Sequence, residues 1–497
     1  MWDKPLGLDK VGEWSGFWWL PGESENQVPG ILRYSPKDGI TLSLIGRFED
    51  RVMDGGPWPG LLIESGTRSW EIIHGVANNR RITLLECFPK SSKMRLFAQV
   101  KSPDSQVVVT EMAVIGVHMA CEDDELFASA EISIEDLESW ADSSVLQTEI
   151  GVANEVLDRT AKISVKPVEI QSVEIANKKY LLRRNYSLPK WDSRKGETIA
   201  SMTETVTITV EPTNPFSLRE ARQEASLLQD LISLATHRAA GILWLQLEVS
   251  GSELQSPNGS VSPAQRANVL YSPIVIGEAD AKATTANQML FTCSLIPFPE
   301  MMERWHRVYH SLREATNMVL GLRYAPPRFI ENNLLMAVGA AEVLHRGLNM
   351  DSRPFPIDEF RSMRDEMLSH VPAKYRGRFK AIIRNDPTLR DRLCALALRP
   401  DRDAVSLLVS DINCWARATT RARNAIAHQG KVSKQSMRTL FDIVEVTKSI
   451  VLLNLLHELG MPPAEQRRIV KDNSTFERAA ELSERWLKGG ESNATYV

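Results

Sequence analysis

Leu295-Ile296-Pro297-Phe298-Pro299-Glu300-Met301-Met302-Glu303 is where this chain changes character. Upstream, branched and aromatic residues come in short runs broken by turns; downstream, apolar residues recur at helical spacing. Pro297 and Pro299 punctuate the change. The reading is an α+β multidomain chain, with a β-rich, sandwich-like N-terminal half followed by an all-α helical bundle. Its 497 residues exceed one ordinary core. The expected division is a β-rich domain over 1–150, a mixed β/α part over 151–298 and the all-α domain over 299–497.

In the first part, strand-like runs are Gly30 to Tyr34, Ile40 to Phe48, Leu61 to Ile63, Trp70 to Ile73, Arg81 to Phe88, Met94 to Val100 and Val107 to Ile115. Turn residues such as Ser35-Pro36-Lys37-Asp38-Gly39 separate them, and strands at this spacing suggest a sandwich or barrel-like domain. Phe17-Trp18-Trp19-Leu20-Pro21 reads as the end of a core strand, with a sugar-stacking platform as the alternative. His74 and His118 fall inside strands without metal-ligand companions. Strand signals return at Ile242 to Val249, Leu270 to Ile276 and Met289 to Phe298. Among them Ser217-Leu218-Arg219-Glu220 offers a capping box for a helix running to about Arg238. Ser250 to Ala267 reads as a surface loop.

Downstream, the expected helices are Glu300 to Leu322, Arg328 to Gly347, Pro356 to His370, Lys374 to Asn385, Arg390 to Leu398, Asp403 to Ala427, Ser433 to Leu459 and Ala464 to Lys488. The seventh is apolar nearly all round between Ile443 and Leu456, as a buried central helix is, and stops at Gly460 before Pro462 and Pro463.

Composition excludes several classes. A net charge of -4 gives no global pull toward nucleic acid, so any such site must be a local patch. Five scattered cysteines, none in a C-x2-C pair, argue against a disulfide frame or a zinc site and fit a reducing compartment. The start lacks a signal-peptide pattern, and the apolar run Ile450 to Leu456 is too short to span a bilayer. A cytoplasmic protein with no membrane partner is expected.

The local patch lies in the last helices. From Ile412 to Phe441 the basic residues Arg417, Arg421, Arg423, Lys431, Lys434 and Arg438 occur with no acidic residue between them, which suits a polyanion. Within it stands Arg423-Asn424-Ala425-Ile426-Ala427-His428. Arg-to-His spacing alone is poor support, since Arg304 with His310 and Arg364 with His370 are comparable. Asn424 directly after the arginine, the basic setting and the helix end before Gly430 set this one apart. His306 and His310, four apart on a helix, lack an evident third ligand.

Asn424 and His428 share a helix face, so the amide can orient the imidazole; the helix end favours the imidazolium that a general acid needs. Arg423 is about 140° from His428 around the helix. A phosphate meets both only near the helix tip, or where a second copy contributes, and a dimer is expected. Glu342 falls with Leu335, Val338 and His345 on an otherwise apolar stripe. A carboxylate there needs a cation, for which Arg423 is a candidate, or else it sits at the stripe's edge and reaches water.

Arg423-Asn424-x3-His428 late in an all-helical domain resembles the HEPN superfamily (higher eukaryotes and prokaryotes nucleotide-binding). The N-terminal half resembles the ApeA family of anti-phage defence proteins at Phe17 to Pro21, Gly30-Ile31-Leu32, Asp38 to Leu42, Ile73-His74-Gly75 and Glu135 to Trp140. Ala340 to Arg346 extend the likeness into the helical part. The resemblance implies a metal-independent endoribonuclease using no cofactor: the RNA 2′-OH attacks its phosphodiester, leaving a 2′,3′-cyclic phosphate and a 5′-OH. It implies catalytic roles for His428, Arg423, Asn424 and Glu342, and RNA binding by Arg417, Arg421, Lys431 and Lys434. Its implied partners are RNA, tRNA among the candidates, a second copy through the HEPN domain, and a phage protein as trigger for a sensing N-terminal half. Two other readings stay open: a catalytically silent HEPN module binding RNA or nucleotide, and a glycan-binding sandwich with Trp18 and Trp19 exposed.

Overall fold

The computed structural model describes residues 5–48, 69–93, 103–153, 156–252, 264–350, 353–429 and 437–490, with the side chains at 93, 151–153, 156–159, 428–429 and 485–490 outside that description. Two compact units emerge, Met1–Glu300 and Met301–Val497.

In the first unit, β1 (Gly12–Trp19), β2 (Val28–Ser35), β3 (Gly39–Ile45), β4 (Trp70–Ala77), β5 (Arg80–Lys93) and β6 (Ser105–Ile115) close into an antiparallel barrel. The ring order is β1-β2-β3-β6-β5-β4. Period-two patterning drives it: Ile40, Leu42 and Leu44 of β3 are buried, while Thr41 and Ser43 are half-exposed. The expected runs 61–63 and 94–100 lie outside the described residues.

Trp18 is fully buried, and the family-like glycines explain how it fits. A Cβ added at Gly75 would meet its ring at 2.2 Å, and one at Gly30 would lie 3.1 Å away. Trp19 is buried as well, whereas Phe17 is 53% exposed, which corrects the reading of Trp18 and Trp19 as an exposed sugar platform. His118 follows β6 instead of lying within a strand and stacks on His74, ring centroids 4.6 Å apart, with Trp19 edge-on to both. Each imidazole donates Nε2–H to a backbone carbonyl at 2.8 Å, His74 to Met119 and His118 to Gly75. Burial, with His74 and Arg81 nearby, holds the His118 pKa below its ordinary value.

After the barrel the chain forms β7 (Phe127–Ile134), a separate hairpin of β8 (Leu146–Ala153) and β9 (Val156–Val165), and β10 (Gln171–Ile175) with β11 (Lys178–Tyr186). A second hairpin, β12 (Lys190–Ser193) and β13 (Thr198–Ser201), precedes β14 (Glu204–Pro212), β15 (Ile242–Val249) and β16 (Arg266–Tyr271). An open sheet leaves the barrel through β6 in the order β6-β16-β15-β7-β14-β11-β10. Because β15 and β16 lie between β6 and β7, residues 151–298 do not form a part of their own, and no boundary falls at 150. The expected strand Met289 to Phe298 is not one: a short 3-10 turn precedes it and single backbone bonds, Leu290 to Ala235 and Cys293 to Trp140, replace a ladder.

Among the described residues two α-helices lie wholly within this unit, α1 (Leu137–Ala141) and α2 (Leu218–Thr236), the second opened by the expected Ser217/Glu220 capping box. The Glu135 to Trp140 stretch proves structural. Glu135 accepts N–H bonds from Gly241 and Glu278, Asp136 accepts from Thr284 and pairs with Arg238 at 2.6 Å, and Trp140 is fully buried. All five cysteines are free thiols.

From there the chain is helical: α3 (Phe298–Ser311), α4 (Arg313–Tyr324), α5 (Ile330–Gly347), α6 (Ile357–Ser369), α7 (Ala373–Ile382) and α8 (Leu389–Ala397). Then come α9 (Arg402–Leu408), α10 (Ile412–Gln429), α11 (Met437–Glu458), α12 (Pro463–Asp472) and α13 (Ser474–Gly490). Three expected helices are each broken once, at Leu312, at Val409 to Asp411 and at Asn473, where non-helical dihedrals interrupt the ladder. Asp411 then starts α10 by accepting the Cys414 N–H at 2.8 Å. As expected, α11 is buried along most of its length and ends at Gly460, whose φ of +73° lets Gly460 and Met461 N–H close on His457 and Leu456. No helix among the described residues is long and apolar enough to cross a membrane.

Candidate active site

One hydrophobic cluster sets the geometry. Leu334, Ala337 and Val338 of α5 pack with Ala422 of α10 and with Leu440, Ile443 and Val444 of α11, while Ala418 and Ile426 of α10 pack at its edge. On α10 the residues Ala418, Ala422 and Ile426 recur every fourth position and so point one face at α5 and α11. Arg423, one residue after Ala422, therefore leaves the helix at the rim of the apolar contact, 33% exposed. On α5, Val338 is fully buried, Glu342 one turn on is 19% exposed, and Arg346 one turn further is 58% exposed. The row Val338, Glu342 and Arg346 runs from core to surface, while Leu335, placed by spacing on the stripe with Glu342, is itself 37% exposed.

At that rim the two helices meet through charge. Arg423 Nη2 stands 3.5 Å from Glu342 Oε1, and Arg423 Nη1 donates to Asn424 Oδ1 at 3.2 Å. Of the two readings of Glu342, both parts hold: it is partly exposed at the stripe's edge, and it faces Arg423. Sequence reasoning missed Arg346, whose Nη2 lies 3.6 Å from the other oxygen, Glu342 Oε2. Its signal was visible in the i,i+4 spacing from Glu342.

The remaining motif residues follow helix register. Asn424, Arg417 and Arg421 are exposed, and positions 417, 421, 424 and 428 fall on the face of α10 opposite its core stripe. His428 is helical, in the last turn of α10, and its imidazole lies outside the described side chains. Lys431 and Lys434 lie outside the described residues. Buried His345 is on α5, and Met350 N–H bonds to its carbonyl.

The comparable arginine and histidine pairs elsewhere are placed differently. Arg304 donates Nη1 to the Leu459 carbonyl at 2.7 Å, just past the end of α11. Arg364 pairs with Asp365 and lies over the Phe360 ring, and His370 Nδ1 bonds to the Glu366 carbonyl. His306 and His310 bring their Nε2 atoms to 3.3 Å.

Comparison with known families likewise separates an N-terminal from a C-terminal part. The ApeA N-terminal domain 1 family matches residues 13–305, and the Apea-like HEPN family matches residues 335–465, which hold Glu342, Arg346 and the Arg423 to His428 motif. No curated protein and no solved structure matches. With more than half its length matched by the first of these families and the helical site inside the second, the chain belongs to the ApeA family of HEPN-type defence effectors.

Proposed function

We propose that this protein is a metal-independent endoribonuclease of an abortive-infection type of anti-phage defence. The observation that carries the reading is the Glu342–Arg423 ion pair, 3.5 Å across two helices within the HEPN region. A carboxylate beside the first residue of an Arg-Asn-x3-His set holds a phosphate-binding guanidinium in place, as a nuclease requires and a merely solvated arginine does not.

In this mechanism the RNA 2′-oxygen forms a bond to the adjacent phosphorus and the bond from phosphorus to the 5′-oxygen breaks, giving a 2′,3′-cyclic phosphate and a 5′-OH. His428 moves one of the two protons, giving one to the departing 5′-oxygen or taking the one from the 2′-OH, and water carries the other; such a role supplies about 10²- to 10⁴-fold in rate. Arg423 binds the phosphate and the charge that develops on it. Glu342 positions Arg423, and Asn424, whose oxygen holds Arg423 Nη1, braces the same guanidinium. Arg417, Arg421, Lys431 and Lys434 bind the flanking backbone. The roughly 140° between positions 423 and 428 on α10 favours a homodimer in which two copies of the motif share one cleft. The substrate is cellular RNA, with tRNA among the candidates, cleaved in the cytoplasm once the N-terminal half senses infection, for instance a phage protein.

Purified protein incubated with RNA in excess EDTA should cut it, and His428→Ala should abolish cutting while the chain stays folded by circular dichroism. Cleavage that persists in this variant overturns the assignment. RNA binding without cleavage in the wild type would favour a silent binding module.

A further inference from the structure

Glu342 does not form an ordinary surface pair. Its two oxygens face two different guanidiniums, Oε1 toward Arg423 of α10 at 3.5 Å and Oε2 toward Arg346 of α5 at 3.6 Å. Both separations exceed the usual length of an N–H···O bond, so neither arginine is locked in a bidentate fork with the carboxylate. An isolated helical Glu–Arg pair sums to zero charge and contributes little. Here one carboxylate between two cations leaves a net positive charge at the point where Arg423 enters the proposed site.

We propose that Arg346 is a second phosphate-binding guanidinium, which holds the RNA backbone beside the phosphate that Arg423 engages; this rests on the nuclease reading of the same site. Three features support it. Arg346 is 58% exposed, and among the described residues Glu342 is its ion-pair partner, so its guanidinium is open to solvent and to a polyanion. Its fork matches two phosphate oxygens as a lysine cannot. Glu342 lets two like charges stand side by side without RNA, so both guanidiniums are present at the rim before a polyanion arrives. The chemistry it recognises is a phosphodiester backbone, independent of base identity.

The test uses full-length protein and a single-stranded RNA oligonucleotide. In the His428→Ala background, Arg346→Ala should weaken RNA binding about tenfold and reduce the slope of log K against log salt by about 0.7, the loss of one phosphate contact on a single strand. Arg346→Lys should recover most of that salt slope. In the cleaving protein, Arg346→Ala should raise KM much more than it lowers kcat. Unaltered affinity and salt slope in Arg346→Ala, with cleavage still abolished by His428→Ala, would overturn this inference and leave the nuclease reading standing. If the wild type does not cut RNA but binds it with an Arg346-dependent slope, the nuclease reading falls and the phosphate site stands. Absence of RNA binding removes both.

Discussion

Glu342 Oε1 of α5 lies 3.5 Å from Arg423 Nη2 of α10, so residues 81 positions apart in sequence share one ion pair beside the hydrophobic cluster that holds Val338 and Ala422. Several consequences can be measured.

Removing the carboxylate leaves Arg423 without the group that aims it. Glu342→Ala should lower kcat/KM for RNA by roughly 10- to 100-fold, the scale of a misplaced reacting group. The pair is partly exposed, so thermal stability should change by no more than about 1 kcal/mol. Cleavage within twofold of wild type would show that Glu342 does not position Arg423.

Charge alone should not replace Arg423. Arg423→Ala should cost on the order of 10²- to 10³-fold in kcat, and Arg423→Lys should restore little of it, because the ammonium lacks the planar fork. Single-turnover cleavage under saturating protein reads this directly; full activity in the lysine variant would contradict it.

Trp18 supports the barrel. Trp18→Ala should destabilise the first unit by about 3–5 kcal/mol, as truncation of a buried aromatic does. Gly75→Ala should destabilise it too, since the new methyl would meet the Trp18 ring at 2.2 Å. Both read out in thermal unfolding followed by tryptophan fluorescence. A Trp18→Ala protein as stable as wild type, with lost binding to a sugar polymer, would restore the glycan reading.

The His74–His118 stack should make the first unit acid-sensitive. Because the folded pKa of His118 is lowered, the unfolded chain binds more protons below roughly pH 6.5, so stability is present above that pH and declines as pH falls through it. Wild type should therefore lose more Tm between about pH 7.5 and pH 5.5 than His118→Gln does. Equal losses would show that His118 does not titrate in this way.

Arg304, despite its motif-like spacing to His310, should matter for stability alone. Arg304→Ala withdraws a donor from the Leu459 carbonyl at the end of α11 and should cost roughly 1–3 kcal/mol. Its cleavage rate per folded molecule should stay at the wild-type level. A specific loss of kcat would make the Arg304–His310 pair a functional site.

Much of the helical unit was legible because its signals are local. The apolar circumference of α11, the stop at Gly460 and the Ser217/Glu220 capping box each lie within a few residues of what they control. The breaks at Leu312, Val409 and Asn473 were harder to read, because apolar periodicity continues across them; Asp411, an N-cap in plain view, is the signal that the chain had restarted a helix. Local patterning also misled at Met289 to Phe298, where a strand-like run is held by isolated backbone bonds.

The sequence by itself determined the two-part character of the chain, the basic stretch without acids around Arg417 to Arg438, and the Arg423, Asn424 and His428 spacing, since these need only residue order and helical period. Tertiary structure decided that β1 to β6 close as a barrel, that β15 and β16 enter between β6 and β7, and that the indoles of Trp18 and Trp19 are buried. It also separated Arg423 from the comparable arginines, because only packing of α5 against α10 brings Glu342, with Arg346 on its other oxygen, to that guanidinium. Strand partners and converging charges are chosen by contacts between distant segments, and period carries no information about which distant segment arrives.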